Sequence, residues 1–432
     1  MLRDFLTSRR LKQLWYLPVL GAAMALMMLR ILALAKLLDV PAFGVYSAGL
    51  LVSSTFCILG TLGLQSMLQR DMPVLLMHGR ERASVCLLMQ SVLVATACAA
   101  LCLIVSAFAS GLAGLTSVAL AAGVLHGLSQ QLFLLVTVES RSRGEAVRYA
   151  VQNFWRGTLI LLACLALAVA GASPVQVLLA EAALSLALSA ATLVTAVGRS
   201  GLSLWAATQL ALHRLGQTRW GTAATLLLVS ITGFFHLNID RWFAAEWLSV
   251  ERFALYAFAA VVLTVAGAAQ SMVNASVYPM LARRFALHGA RLTFRRAGAL
   301  SLATLVGAGV LALPAHWLMG WAIDAWYAPY REALGLLGVF IAVAVLRVAD
   351  YWSSFLMICG RERVLLGVNL GVLLMGVAAW AMLETGGGAM PSDPLAYAKL
   401  ALVLTAGHSM VCALLAWLVQ RKPAGTPAER LR

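Results

Sequence analysis

The chain has 432 residues, of which 62% are hydrophobic and only 11% charged, a composition that excludes a soluble globular fold. Its net charge of +15 would point to nucleic acid in a soluble chain. Here the charges sit between long apolar runs, so they report topology instead and imply no nucleic-acid partner.

Apolar runs of about 20 residues suffice to cross a bilayer, and twelve can be read in order. The first six are Leu14–Leu37, Val45–Leu68, Ser84–Phe108, Leu112–Val138, Ala150–Ala170 and Pro174–Val197. The second six are Gly221–Phe243, Ala254–Leu281, Ala299–Trp321, Ala333–Cys359, Val364–Leu383 and Leu395–Val419. The expected fold class is an all-α polytopic membrane protein with twelve transmembrane helices in two six-helix lobes. The lobes are 1–197 and 221–419, joined by an interfacial linker at 198–220 and followed by a tail at 420–432.

Arg9, Arg10 and Lys12 precede the first run, and every second loop after it is basic. This division puts 24 of the 32 Lys and Arg on one side, five (Lys36, Arg241, Arg252, Arg331 and Lys399) on the other, and Arg30, Arg156 and Arg347 within the runs. The positive-inside rule then makes both termini cytoplasmic. The linker 198–220 can place Leu204, Ala211 or Leu212, and Leu215 on one face with His213 and Arg214 beside it, which suits a helix lying along the inner leaflet. The seven cysteines lie in or at the ends of apolar runs and read as small packing residues.

The halves repeat. At a constant offset of 210, Arg30 falls on Asp240, Val40 on Val250, Phe43 on Phe253 and Tyr46 on Tyr256. At an offset of 216, Gly144 through Asn153 matches Gly360 through Asn369 in spacing. Six helices per half give the repeats the same orientation, related by an axis along the membrane normal and enclosing a cleft.

Outer loops are short, and no nucleotide loop or nucleophile elbow is present, so a transporter is expected over an enzyme and no cofactor is implied. The residues that stand out are ionisable groups inside the apolar runs: Arg30, Arg156, Glu181, Asp240, Arg347 and Asp350. Such groups are costly in a bilayer and either pair or serve the transport path. Arg30 offers a permanent planar fork for a diphosphate, with pairing to an acid such as Asp39 as the alternative. Arg156 either shares that role or pairs with Glu181, which is otherwise a proton carrier. Asp240 with Asn238 and Asn369 supplies oxygens for a coupling Na⁺ or a site for H⁺, unless Arg241 neutralises it. His236, one turn before Asp240, is a proton-side alternative. Arg347 and Asp350, three apart on the tenth helix, read as a structural or gating pair.

The stretch His236-Leu-Asn238-Ile-Asp240-Arg241 is followed by Phe253-Ala-Leu-Tyr256-Ala. With Arg30 and Pro41-Ala-Phe-Gly-Val-Tyr46 it resembles the polysaccharide or O-antigen flippases of the multidrug/oligosaccharidyl-lipid/polysaccharide exporter superfamily. The resemblance implies a bacterial inner-membrane exporter working by alternating access. Its cargo would be a polyprenyl-diphosphate-linked oligosaccharide bound through Arg30, Arg156, Tyr46 and Tyr256, and its partners membrane lipids and polysaccharide polymerase machinery. Two other readings remain open: a multidrug and toxin extrusion antiporter, for which a cleft richer in acids is expected, and a membrane polysaccharide polymerase or ligase. A peptidoglycan-precursor flippase typically adds two helices that this sequence lacks.

Overall fold

A computed structural model of the chain describes residues 16–108, 112–385 and 392–421, with side chains left aside at 17, 268–269, 271–276, 279, 286 and 383–385. The basic residues ahead of the first span and most of the expected tail lie outside the described residues. Among those described, every regular element is helical, and twelve helices are long and apolar enough to cross a membrane. The chain is a multi-pass membrane protein. Two compact units meet at Ile231 and Thr232, within the seventh span.

The first unit contains α1 (Tyr16–Leu37), α2 (Val40–Leu59), α3 (Leu64–Met77), α4 (Glu81–Phe108), α5 (Ser117–Ser142), α6 (Ala146–Val169), α7 (Pro174–Gly198) and α8 (Leu204–His213). Local chemistry sets these limits. Asp39 accepts from the Ala42 amide to start α2, Thr116 caps α5, and Ser173 with Gln176 forms a reciprocal capping box at α7. The second predicted span therefore begins earlier than Val45, and it breaks before Leu68 where Leu62 and Gly63 turn left-handed. A side chain at Gly63 is excluded twice, by its φ of 86° and by the Ala223 carbonyl oxygen 2.0 Å from where a Cβ would stand.

α5 is the axis of this unit and is buried along most of its length. Gly123 and Gly127 face α2 so closely that a Cβ would meet Gly49 O at 3.0 Å and Ser53 O at 2.9 Å. Backbones can approach in this way only over small residues. α8 lies against α4, burying Ala207 and Ala211 with Val85, Met89 and Val197. The packed face is thus the alanine pair, while Leu204, Trp205 and Leu212 remain exposed.

The second unit takes the end of α9 (Trp220–Trp247), then α10 (Val250–Ala259), α11 (Val261–Trp326), α12 (Leu334–Val348), α13 (Trp352–Ile358), α14 (Glu362–Thr385) and α15 (Pro394–Arg421). α11 is too long for one crossing and is broken at Gly289, whose φ of 74° interrupts the helix within the expected basic loop. The predicted tenth span is also broken. Asp350 accepts from the amides of Trp352 (3.2 Å) and Ser353 (3.3 Å) and from the Ser353 hydroxyl (2.6 Å), a local alternative that competes with helix continuation.

Both sequence repeats have structural counterparts. Asp39 caps α2 and Ser249, 210 residues on, caps α10. The Phe43–Tyr46 and Phe253–Tyr256 ring pairs are each 6.4 Å apart. Gly144 and Gly360, 216 apart, both turn left-handed just before α6 and α14.

Candidate functional site

In the first unit polar side chains of four helices converge on a carboxylate of a fifth. Glu181 of α7 is completely buried. It accepts from Arg30 of α1, from the Tyr46 hydroxyl of α2 at 2.7 Å and from the Cys164 thiol of α6 at 3.2 Å. His126 of α5 reaches the same carboxylate through Nε2 at 3.0 Å, while its Nδ1 lies 2.8 Å from the Ser53 hydroxyl. Burying two ions costs several kcal/mol each, by order of magnitude, and only close pairing with satisfied hydrogen bonds offsets it. Arg30 and Glu181 meet that condition.

A second guanidinium extends the network without a second acid. Arg156 donates to Ser185 Oγ at 3.1 Å and to the Gln130 carbonyl, and its head stands 4.4 Å from the Phe133 ring centre. Gln130 in turn places its Nε2 3.2 Å from His126 Nε2. Among the described residues Arg156 has no carboxylate within ion-pairing distance, so Glu181's partner is Arg30 rather than Arg156. Nor does Arg30 pair with Asp39, whose side chain is spent on the α2 cap.

The second unit is built differently. Asp240 of α9 is buried and accepts from the Tyr256 hydroxyl of α10. Arg241 donates to Ala260 O at 3.4 Å and Arg347 to Leu237 O at 2.9 Å; neither forms an ion pair with Asp240. Arg347 still lies within electrostatic range of Asp240, Arg241 and Tyr256.

The expected trio of Asp240, Asn238 and Asn369 is not assembled. The Asn238 amide bonds back to Phe234 O at 2.9 Å, and Asn369 Oδ1 faces His408 Nε2 at 2.9 Å. His408 stacks on His236 with ring centres 4.4 Å apart. Arg347 and Asp350 do not pair either, because α12 ends between them and each is bonded elsewhere.

His126 stands out in the sequence, with His236, His316 and His408, as a polar side chain within an apolar run, but Gln130, Cys164 and Ser53 do not stand out as site residues. A signal existed for Gln130, which is four residues from His126 and therefore shares its helix face.

At the ends of the spans a separate ionic cluster joins α4 to α7. Arg143 donates to Glu81 at 2.5 and 3.0 Å and to Glu139, Arg148 reaches Glu139 at 3.3 Å and Glu145 at 2.9 Å, and Arg199 bonds both Glu139 (3.2 Å) and Glu145 (3.0 Å). Burial alone would raise the Glu145 carboxyl, but hydrogen bonds from Arg148 and Arg199 outweigh it and hold it below the usual carboxylate value.

No family model matches the chain, and no curated protein matches it in sequence. Its fold is that of solved MATE transporters. An inward-facing multidrug resistance MATE family transporter of the MOP superfamily matches 94% of this chain and 96% of its own at a TM-score of 0.59 and 12% identity. The eukaryotic MATE transporter AtDTX14 matches 98% and 99% at 0.56 and 14% identity. A mutant of the Vibrio cholerae MATE transporter VcmN matches 97% and 98% at 0.51 and 13% identity.

Proposed function

We propose that the chain is a secondary-active exporter working by alternating access, and that it exchanges inward proton flow for outward movement of an amphipathic cation. The observation that carries this reading is the buried Arg30–Glu181 pair with His126 on the same carboxylate. Protonating Glu181 leaves the Arg30 charge uncompensated in a medium of low dielectric, where a unit charge acts at a distance. A cationic cargo is then disfavoured and an anionic one favoured.

Coupling is reciprocal, so a cation lowers the proton affinity of this site by the factor by which the proton lowers its own. Antiport requires that opposition. An anion would bind together with the proton and be drawn the same way, inward. The oxygens of Glu181 are already engaged by Arg30, Tyr46, His126 and Cys164, which suits a proton better than a Na⁺ in need of several free oxygen ligands. The likeness to MATE transporters, one of them described as multidrug resistance, supports the same reading. The orientation proposed is that of a bacterial inner-membrane protein with both termini cytoplasmic, from the loop charges.

A second reading is favoured by one observation. Arg156 is a buried guanidinium with no carboxylate partner among the described residues, and a lipid-linked diphosphate would supply one. That keeps the polyprenyl-diphosphate oligosaccharide flippase as the alternative, with a driving force other than proton exchange at Glu181.

The test is transport in reconstituted vesicles together with deletion of the gene in its host. Efflux of a cationic dye driven by a pH gradient, with an unchanged pool of lipid-linked glycans in the deletion strain, is expected. Accumulation of a finished polyprenyl-diphosphate oligosaccharide on the cytoplasmic face, with no dye transport, would overturn the first reading in favour of the second.

A further inference from the structure

A cavity of about 460 Å³ opens on the first unit between α3, α4 and the segment joining α8 to α9. Its wall carries Asp71, Gln90, Arg214, Gln217 and Arg219, with apolar lining from Met67, Val74, Leu75 and Leu87. It is distant in the sequence from the Glu181 network and shares no residue with it.

The charge in this cavity is unbalanced. Asp71 is the only carboxylate in the lining, and it is held twice, by Arg70 Nε at 2.7 Å and by Arg219. Arg214 follows α8 and has no carboxylate within ion-pairing distance among the described residues. Two guanidiniums, Arg214 and Arg219, thus line the cavity beside one carboxylate that Arg70, outside the lining, also holds, and the surplus positive charge faces a space large enough for a small anion. The Gln90 amide, buried on α4, is anchored to Ala211 O at 3.4 Å and fixes the inner wall.

What surrounds the cavity identifies the anion's source. α8 is held to the protein through Ala207 and Ala211 and turns Trp205, 72% exposed, and Leu212, 54% exposed, outward. Val74 lines the cavity and is 48% exposed, and Met77 one turn on is 77% exposed. Apolar side chains exposed on both flanking helices, at the ends of membrane spans, suit acyl chains beside a headgroup pocket. A soluble phosphate would have no use for them.

We infer that this cavity binds the headgroup of an anionic phospholipid from the leaflet on the α8 side, with Arg214 and Arg219 on the phosphate and the acyl chains against Val74, Met77 and Trp205. Occupancy would brace the linker between the two halves, because Arg214 and Arg219 flank the 3₁₀ turn at Leu215–Gln217 that leads into α9. The proposal is independent of the cargo.

The experiment is native mass spectrometry of the full chain released from bilayers mixing phosphatidylglycerol with phosphatidylcholine. One phosphatidylglycerol is expected to stay bound in preference to phosphatidylcholine. Arg214→Glu should reduce that retention about tenfold, by losing a charge-assisted contact and adding a like charge. Arg214 is exposed and unpaired, so this variant leaves the packing intact. Arg219→Gln, which leaves Asp71 with Arg70 alone, should lower retention similarly. Equal retention of both lipids, or unchanged retention in Arg214→Glu, would overturn the site. Displacement of the lipid by inorganic phosphate that itself binds as well from lipid-free detergent would also overturn it, in favour of a soluble phosphoester.

Discussion

Tyr46 and Tyr256 occupy corresponding positions in the two units, both fully buried, and each donates its hydroxyl to a carboxylate. The carboxylates come from different places. In the first unit the residue matching Asp240 is Arg30, and the acid is supplied by the last spanning helix of that unit as Glu181. In the second unit the acid stays on the first helix and no guanidinium closes on it. The same tyrosine scaffold thus holds a tight ion pair in one half and a loosely compensated carboxylate in the other. A duplicated fold need not duplicate its chemistry.

The largest effect expected from this difference is on stability. Glu181→Gln strands Arg30 in the interior and should cost about 3–5 kcal/mol, read from unfolding of the purified protein in detergent. Asp240→Asn keeps an oxygen to accept from Tyr256 and removes a charge on which no guanidinium closes, so it should cost only about 1 kcal/mol. Similar losses at the two positions would erase the distinction. Replacing the pair together, Arg30→Met with Glu181→Leu, should regain most of the stability while leaving transport abolished, since a buried pair exchanged for apolar groups is often neutral. Failure of the double variant to recover would mean that His126 and Tyr46 depend on the carboxylate for more than its charge.

Tyr46→Phe and Tyr256→Phe each leave a carboxylate short of one donor, an effect of about 1–3 kcal/mol. Tyr46 should sit at the lower end, because Arg30, His126 and Cys164 remain on Glu181. The smallest effect concerns pH and belongs to the first unit alone. Glu145 has its carboxyl held below the usual value in the folded state, so its contribution is fully present above the unfolded value and is lost as pH falls through the folded one. Glu145→Gln should flatten that acid limb slightly, and an unaltered limb would remove Glu145 from the account.

Much of the fold was legible because apolar runs and basic loops obey the bilayer directly, and a duplicated helix start leaves the same caps and aromatics 210 residues apart. Breaks were harder. Gly289 inside α11 and Asp350 after α12 interrupt helices through backbone conformation and a side-chain bond that hydropathy does not register. Arg30 and Glu181 were legible as intramembrane ionisable groups and Tyr46 as the repeat partner of Tyr256, but their convergence was not, since it joins residues 151 and 135 positions apart. For the same reason Asn238 and Asn369 looked like partners of Asp240, although one bonds its own helix and the other a histidine.

The central claim is that cargo and proton oppose each other at Glu181. The direct measurement is proton release from the purified protein, in weakly buffered detergent across a pH series, on addition of a transported cationic dye. The account predicts release by the parent protein and by Asp240→Asn, and none by Glu181→Gln. Proton uptake in place of release, or release that survives Glu181→Gln and vanishes in Asp240→Asn, would contradict it and move coupling to the second unit.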